Sequence, residues 1–256
     1  MDNASGDDGA DLVERTFPMV SVLRLRTNLG FGGAVNRQVG LLPDPMFDGY
    51  LILTHEVRLS RGVVGSLCRH MANTADVGVV APLVGLASQP EVLWSAGGFV
   101  RRGSGLPDHL GQNENIRAWE WKVPYEVAWV DGCSMLVRAS AHIGVSGFDE
   151  RFFMYYEDVD YCTRIRRDGW KVVVLPTALA WQEPGLGPKV RESILNPIRL
   201  AASQGPRARM YARVMALARL GFNSVLGIRD ERRRGLAKEI RTALKDYRLE
   251  GRTRSH

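Results

Sequence analysis

Glu157, Asp158 and Asp160 place three carboxylates within four residues, beside Phe152, Phe153, Tyr155 and Tyr156. Like charges and apolar neighbours both disfavour ionisation, so such carboxyl groups bind protons at higher pH than free ones. A base tuned in this way suits removal of a proton from a hydroxyl group. The same cluster has a structural reading, because acids in the first turn of a helix complement its dipole. A second candidate is the stretch Asn28-Leu-Gly-Phe-Gly-Gly-Ala-Val-Asn36. Gly30, Gly32 and Gly33 would let backbone approach a ligand closely, and a helix N-terminus favours anions. A lone Gly-rich turn is more often only a turn. Arg164, Arg166 and Arg167 follow the acids; their planar forks match phosphate, or they form a solvated helix face. Trp94 could stack on a sugar ring or sit in the core.

These groups need elements to hold them. Met19–Leu25 reads as a strand, Gly32–Leu41 as a short helix and Tyr50–Leu53 as a second strand. Arg61–Ala72 carries Val64, Leu67 and Met71 at helical spacing, and Val77–Ala81 reads as a third strand. Residues Ser95–Arg117, rich in Gly, Pro and Asn, read as a long loop, which in a compact domain is commonly functional. Val127–Val130 and Ser134–Arg138 are further strands, Glu157–Arg167 a helix and Lys171–Leu175 a strand. The β–α alternation predicts an α/β fold with a mainly parallel sheet flanked by helices. After Pro188 helical periodicity dominates, broken near Gly205–Pro206 and Gly227–Asp230. Two regions are therefore expected, 1–188 and a basic helical region at 189–256.

Several segments carry a family resemblance. Gly147-Phe-Asp-Glu-Arg-Phe-Phe-Met-Tyr-Tyr-Glu-Asp-Val-Asp-Tyr-Cys-Thr-Arg164 and the following Gly169-Trp170 resemble a G-F-D-E-x-F-F-x-Y-x-E-D-x-D-x-x-x-R block of family-2 glycosyltransferases. Asp131-Gly-Cys-Ser-Met-Leu-Val-Arg138 resembles the strand before that block. Asn28–Asn36 resembles the N-x-G-F-x-x-x-x-N segment, and Asp2-Asn-Ala-Ser-Gly-Asp7 the D-N-x-S-x-D segment. The four occur in the family's order over residues 2–182, and the subgroup they most resemble includes rhamnosyl- and galactofuranosyltransferases. The resemblance implies a GT-A fold and inverting sugar transfer from a nucleoside-diphosphate sugar to a hydroxyl acceptor in cell-envelope or polysaccharide synthesis. It makes Asp158 the base, with Glu157 placing it or the acceptor. It assigns Asp2, Asn28, Gly30, Asn36 and Arg164 to the donor, Arg164 at the leaving diphosphate. Trp94-Ser-Ala-Gly-Gly98 resembles the start of an acceptor-side loop, and Gly132 falls on the same side.

The metal position departs from the pattern. Leu51-Ile-Leu-Thr-His-Glu-Val-Arg58 stands where the family carries its D-x-D-type motif, with Glu56 in place of the final Asp. Glu offers oxygen to Mg²⁺ or Mn²⁺ from one carbon further out. His55 could be a softer ligand or play a structural role, and Gln182 stands where the family tends to have His. A divalent cation is thus implied by resemblance but weakened by two replacements. The resemblance also implies a first strand and helix before Asp2, so the chain reads as incomplete at its start. A truncated paralogue that binds sugar or nucleotide without turnover is the alternative. A nucleotidyltransferase on a similar sheet would want a Gly-rich basic loop in that same earlier region.

The chain carries a net charge of +6, but unevenly. Residues 207–256 hold fourteen Lys/Arg against five Asp/Glu, a net +9, and the remainder is −3. That distribution argues against nucleic acid as a partner and for a tail that meets an anionic surface. Met210, Tyr211, Val214, Met215, Ala218, Phe222 and Val225 recur at helical spacing among arginines that include Arg229 and Arg232–Arg234. This reads either as a membrane-surface helix serving a glycan or lipid-linked acceptor or as a stripe packed on the catalytic domain. No apolar run is long enough to span a bilayer. Three separated cysteines, Cys68, Cys133 and Cys162, fit reduced thiols. The expected location is cytoplasmic, peripheral at the inner face of the membrane.

Overall fold

The computed structural model describes residues 1–42, 47–102, 104–183, 190–226 and 231–252. In chain order the elements are α1 (Gly9–Thr16), α2 (Gly30–Val39), β1 (Gly49–Leu53), β2 (Arg58–Leu59), α3 (Val63–Asn73), β3 (Val77–Leu86), β4 (Leu93–Ser95), β5 (Gly98–Val100), β6 (Pro107–His109), β7 (Tyr125–Glu126), β8 (Ser134–Arg138), α4 (Ala139–Gly144), α5 (Glu157–Arg167), β9 (Lys171–Gln182), α6 (Val190–Gln204), α7 (Pro206–Leu226) and α8 (Glu231–Arg252). They form two compact units, one of residues 1–97 and 109–183, the other of 98–108 and 184–256. The short segment 98–108 therefore clusters with the C-terminal helices, whereas the sequence alone placed it in the first region.

The first unit is built on a mixed sheet in the order β1-β8-β3-β9-β2, with β4 beside β3 and β7 beside β9. β3 is the centre because Val77-Gly-Val-Val-Ala-Pro-Leu-Val-Gly is buried throughout, as a strand covered on both faces must be. Its pairing with β9 is parallel and runs from Val77↔Lys171 to Leu86↔Gln182. The expected parallel character resides in this one long pair. β1–β8, β3–β8, β3–β4, β7–β9 and β2–β9 are antiparallel. α3 covers one face with Val63, Leu67 and Met71, four residues apart, which pack with Val77, Val80, Leu136, Val173 and Leu175.

Two expected strands are corrected. Met19–Leu25 is no strand: apart from a turn bond from Val20 N–H to Phe17 O at 2.8 Å, its backbone bonds are to Asp2 alone among the described residues, through Asp2 N–H to Leu23 O at 2.7 Å and Leu25 N–H to Asp2 O at 2.9 Å, and Met19 is 96% exposed. An apolar run becomes a strand only where a second backbone lies alongside to accept its hydrogen bonds. The strand expected at Val127–Val130 lies earlier, at β7, because pairing with β9 takes Tyr125 and Glu126. Ser95–Arg117 is not structureless, since β5 and β6 form a two-stranded sheet within it.

Among its described residues the second unit contains three helices. Ile194, Leu195, Ile198 and Ala201 of α6, Ala208, Ala212 and Ala216 of α7, and Ile240 and Ala243 of α8 make its core. The expected break at Gly205–Pro206 separates α6 from α7, with Gly205 at a φ of +121° that favours glycine. Pro188, the break at Gly227–Asp230 and Arg229 lie outside the described residues.

Candidate active site

The Glu157–Asp160 cluster opens α5, as its acid-rich first turn predicts. The chain enters through Tyr155 and Tyr156, both in the left-handed region at φ +68° and +72°. Two bulky residues there store strain of order 1–3 kcal/mol each, a cost that concentrates at functional sites. The turn presents Asp158 to the loop before β8. Asp158 Oδ2 accepts from Gly132 N–H at 3.0 Å, and Oδ1 accepts from Val159 N–H at 2.8 Å. Burial and the nearby negative charge of Asp131 push its carboxyl up to about 6, against the opposing pull of these two hydrogen bonds and His109.

Glu157 is 7% exposed, and among the described residues its Oε2 has no hydrogen-bond partner. Burial, followed by repulsion from Asp158, raises its carboxyl far above the usual range. A group whose pKa is raised by folding holds its proton more tightly in the folded state, so stability is greatest below the unfolded value and falls as pH rises through the folded one. Glu157→Gln should therefore be more heat-resistant than the parent at pH 8, by several degrees, with the gap closing toward pH 4.5. Melting curves across that range test this; parallel curves would mean that Glu157 has a polar partner.

Asp131, which sequence reading left unassigned, joins these groups. Its Oδ1 accepts from the Trp94 indole N–H at 3.1 Å and lies 3.8 Å from His109 Nδ1. His109 packs at a tilt against Trp94, with ring centroids 5.0 Å apart, and edge-to-face with Trp129, at 4.8 Å. Asp131, Asp158 and Glu56 all act on the buried Cys133 thiol, which burial first and these charges second drive upward. One signal for Asp131 was present: it stands directly before the Gly of the recognised strand. Nothing local pointed to His109, which the loop carries in from 22 residues upstream of Asp131.

The residues expected to hold the donor are directed at the chain itself. Asn36 is a backbone clamp: its amide donates to Phe148 O at 2.9 Å and accepts from Phe148 N–H at 2.8 Å. Gly30, at φ +75°, is needed because a Cβ there would lie 2.1 Å from Phe153 O, to which Phe31 N–H donates. The close approach that glycine permits is thus to residue 153, two positions before the strained turn. Asn28 Oδ1 accepts from Gly30 N–H and from the Asn3 amide, and Asp2 Oδ1 accepts from Ser5 N–H at 2.9 Å. Arg164 binds Asp160 through Nε at 2.7 Å, and through Nη1 it donates to Val145 O at 2.8 Å and Gly147 O at 2.7 Å. Through these bonds it pins α5 to the turn after α4. Gly132 serves through its N–H on Asp158. Glu56 is about half-exposed and 3.3 Å from the exposed His55.

The site thus comprises a carboxylate held by two backbone donors, a second carboxylate that tunes it, and an aromatic wall on one side. No protein-family model matches the chain. It is 32% identical over 197 residues to an N-acetylglucosaminyl-diphospho-decaprenol L-rhamnosyltransferase of Mycobacterium tuberculosis, covering 69% of this chain and 63% of the relative. Over 50 residues it is 44% identical to rhamnosyltransferase WbbL of Escherichia coli, covering 20% of this chain and 19% of the relative. The chain is homologous to glycosyltransferases. Its fold is the GT-A glycosyltransferase fold. A structure of GalNAc-T7 with UDP, GalNAc and Mn²⁺ superposes with a TM-score of 0.53 at 13% identity, over 79% of this chain and 43% of that one. The mannosyltransferase PcManGT of Pyrobaculum calidifontis, with GDP-Man and Mn²⁺, gives 0.52 at 14% identity, over 95% and 74%. The chain thus spans somewhat under two thirds of the mycobacterial relative's length.

Proposed function

We propose that this chain is an inverting glycosyltransferase that moves a sugar, of the rhamnosyl class by its relatives, from a nucleoside-diphosphate donor to a hydroxyl of a lipid-linked glycan in cell-envelope synthesis. The observation that carries this reading is Asp158, oriented by Gly132 and Val159 and tuned upward by burial and Asp131. Its carboxylate takes the acceptor hydroxyl proton while the acceptor oxygen bonds to the anomeric carbon. The bond from that carbon to the diphosphate breaks in the same displacement, so the configuration inverts and nucleoside diphosphate leaves. The Trp94–His109–Trp129 wall faces the acceptor, as apolar and aromatic walls commonly line sugar and cofactor pockets.

The structural neighbours were solved with Mn²⁺. Among the described residues no three His, Cys, Asp or Glu side chains come together as a metal-holding group. A Mg²⁺-type site needs only one or two carboxylates when phosphates supply the other oxygens, and half-exposed Glu56 fits that mode. In that role Glu56 would hold the ion, which would neutralise charge on the leaving diphosphate. Incubation with a panel of nucleoside-diphosphate sugars and a polyprenyl-diphospho-sugar acceptor, with the product's anomeric configuration read by NMR, tests the reading. Donor binding without turnover would instead favour a non-catalytic paralogue. In the same assay EDTA should suppress transfer and Mg²⁺ restore it, and Glu56→Gln should raise the Mg²⁺ needed for half-maximal rate by about tenfold, the usual cost of altering a metal-site contact. Full activity in EDTA would remove Glu56 and the ion from the scheme.

A further inference from the structure

α7 is turned inside out for a helix on a water-facing protein. Such a helix normally buries its large apolar residues and exposes polar ones. In α7 the buried face is Ala208, Ala212 and Ala216, one turn apart, with Asn223. The opposite face carries Met210, Val214, Leu217 and Val225, which are 65%, 56%, 52% and 67% exposed, and Phe222 adds to it at 61%. Within residues 206–226 there are four arginines and no acid. Arg209 and Arg213, with Met210, Val214 and Leu217, also line an open groove of about 400 Å³ that runs past Gly205 and Pro206. An apolar strip with cations along its flank suits insertion among acyl chains with phosphate groups alongside. No described helix is long and apolar enough to cross a membrane, so a helix of this kind would lie in the plane of the surface.

We propose that α7 is an interfacial anchor that docks the protein on an anionic phospholipid surface, with Met210, Val214, Leu217 and Val225 inserted and Arg207, Arg209 and Arg213 meeting phosphates. The charge decides between a bilayer and a second copy of the chain. Two α7 faces packed together would oppose arginine to arginine with no acid in either helix, whereas an anionic leaflet supplies the missing charge. The inference stands apart from sugar transfer, since it involves neither Asp158 nor the donor.

The test is sedimentation of the full chain with vesicles of phosphatidylcholine alone or with about one third phosphatidylglycerol, a mixture that gives a negative surface potential. Binding is expected to the anionic vesicles only, and to weaken as salt rises and exposed charges are screened. The double substitution Val214→Asp/Val225→Asp alters two exposed positions, so it should leave the melting temperature unchanged and reduce vesicle binding at least about tenfold, since charge in an inserted face is costly. Arg207→Gln/Arg209→Gln should abolish the preference for anionic lipid. Three results would overturn the proposal: failure of the parent to bind anionic vesicles, unchanged binding by the double Asp variant, or a parent dimer in solution that the same variant dissociates. Sedimentation of Asp158→Asn keeps this outcome separate from that of the transfer assay.

Discussion

Asp158→Asn is expected to lower transfer by about 10²–10⁴-fold, the range for losing a positioned general base, while leaving donor affinity nearly unchanged. The amide fills the same space but cannot accept the hydroxyl proton. The two N–H donors of Gly132 and Val159 can still bond its oxygen only one at a time, so some misorientation adds to the loss. The pH dependence provides a second check. Because burial and Asp131 raise the Asp158 carboxyl to about 6, the parent's kcat/KM should fall tenfold per pH unit below that value, as the base becomes protonated. The acid limb should vanish in the variant. Asp131→Asn, which removes the neighbouring negative charge, should move the parent limb to lower pH. Activity of Asp158→Asn within a few-fold of the parent, or an acid limb that survives in it, would assign the proton to another group.

Arg164→Met should destabilise the first unit by about 3–5 kcal/mol, the cost of breaking a buried ion pair on one side only. Asp160, 5% exposed, would lose its cation, and Val145 O and Gly147 O would lose their donor. For a chain of this size the melting temperature should drop by about 10 °C. Arg164→Lys should recover only part of this, because an ammonium cannot reproduce the guanidinium's fan of bonds. Measured well below the melting point, the donor KM should stay within about twofold, since an unchanged KM marks unchanged ground-state binding. Near-parental stability with a donor KM raised tenfold would return Arg164 to the diphosphate.

Asn36 and Gly30 show why residue type and spacing alone leave a residue's role open. An amide, a guanidinium or a glycine turn suits a phosphate or sugar, and each suits the chain's own backbone equally well. Which of the two it serves depends on what lies within about 3 Å, and that neighbour is set by residues more than a hundred positions away, Phe148 for Asn36 and Phe153 for Gly30. The clamp of α2 on residues 148–153 supports the strained Tyr155–Tyr156 turn, which delivers Asp158.

Where a segment's structure depends on its own periodicity, the amino-acid sequence was enough. α5 begins and ends at Glu157 and Arg167, and β8 at Ser134 and Arg138, as read from the acids, the arginines and the apolar run. The family resemblance of the Gly147–Arg164 block likewise marked Asp158 as the candidate base before any packing was known. Packing decided the rest. Met19–Leu25 has the composition of a strand but meets another segment only in an isolated bridge to Asp2 among the described residues. His109, Trp94 and Trp129 meet around Asp131 because a loop folds back, which no local pattern encodes. In α7 the helical spacing announced an apolar stripe without saying which side would be covered. Ala208, Ala212 and Ala216 take the buried side among residues of α6 and α8, leaving the larger side chains outside. Periodicity is a property of one helix; burial depends on its neighbours, and only the tertiary structure supplies those.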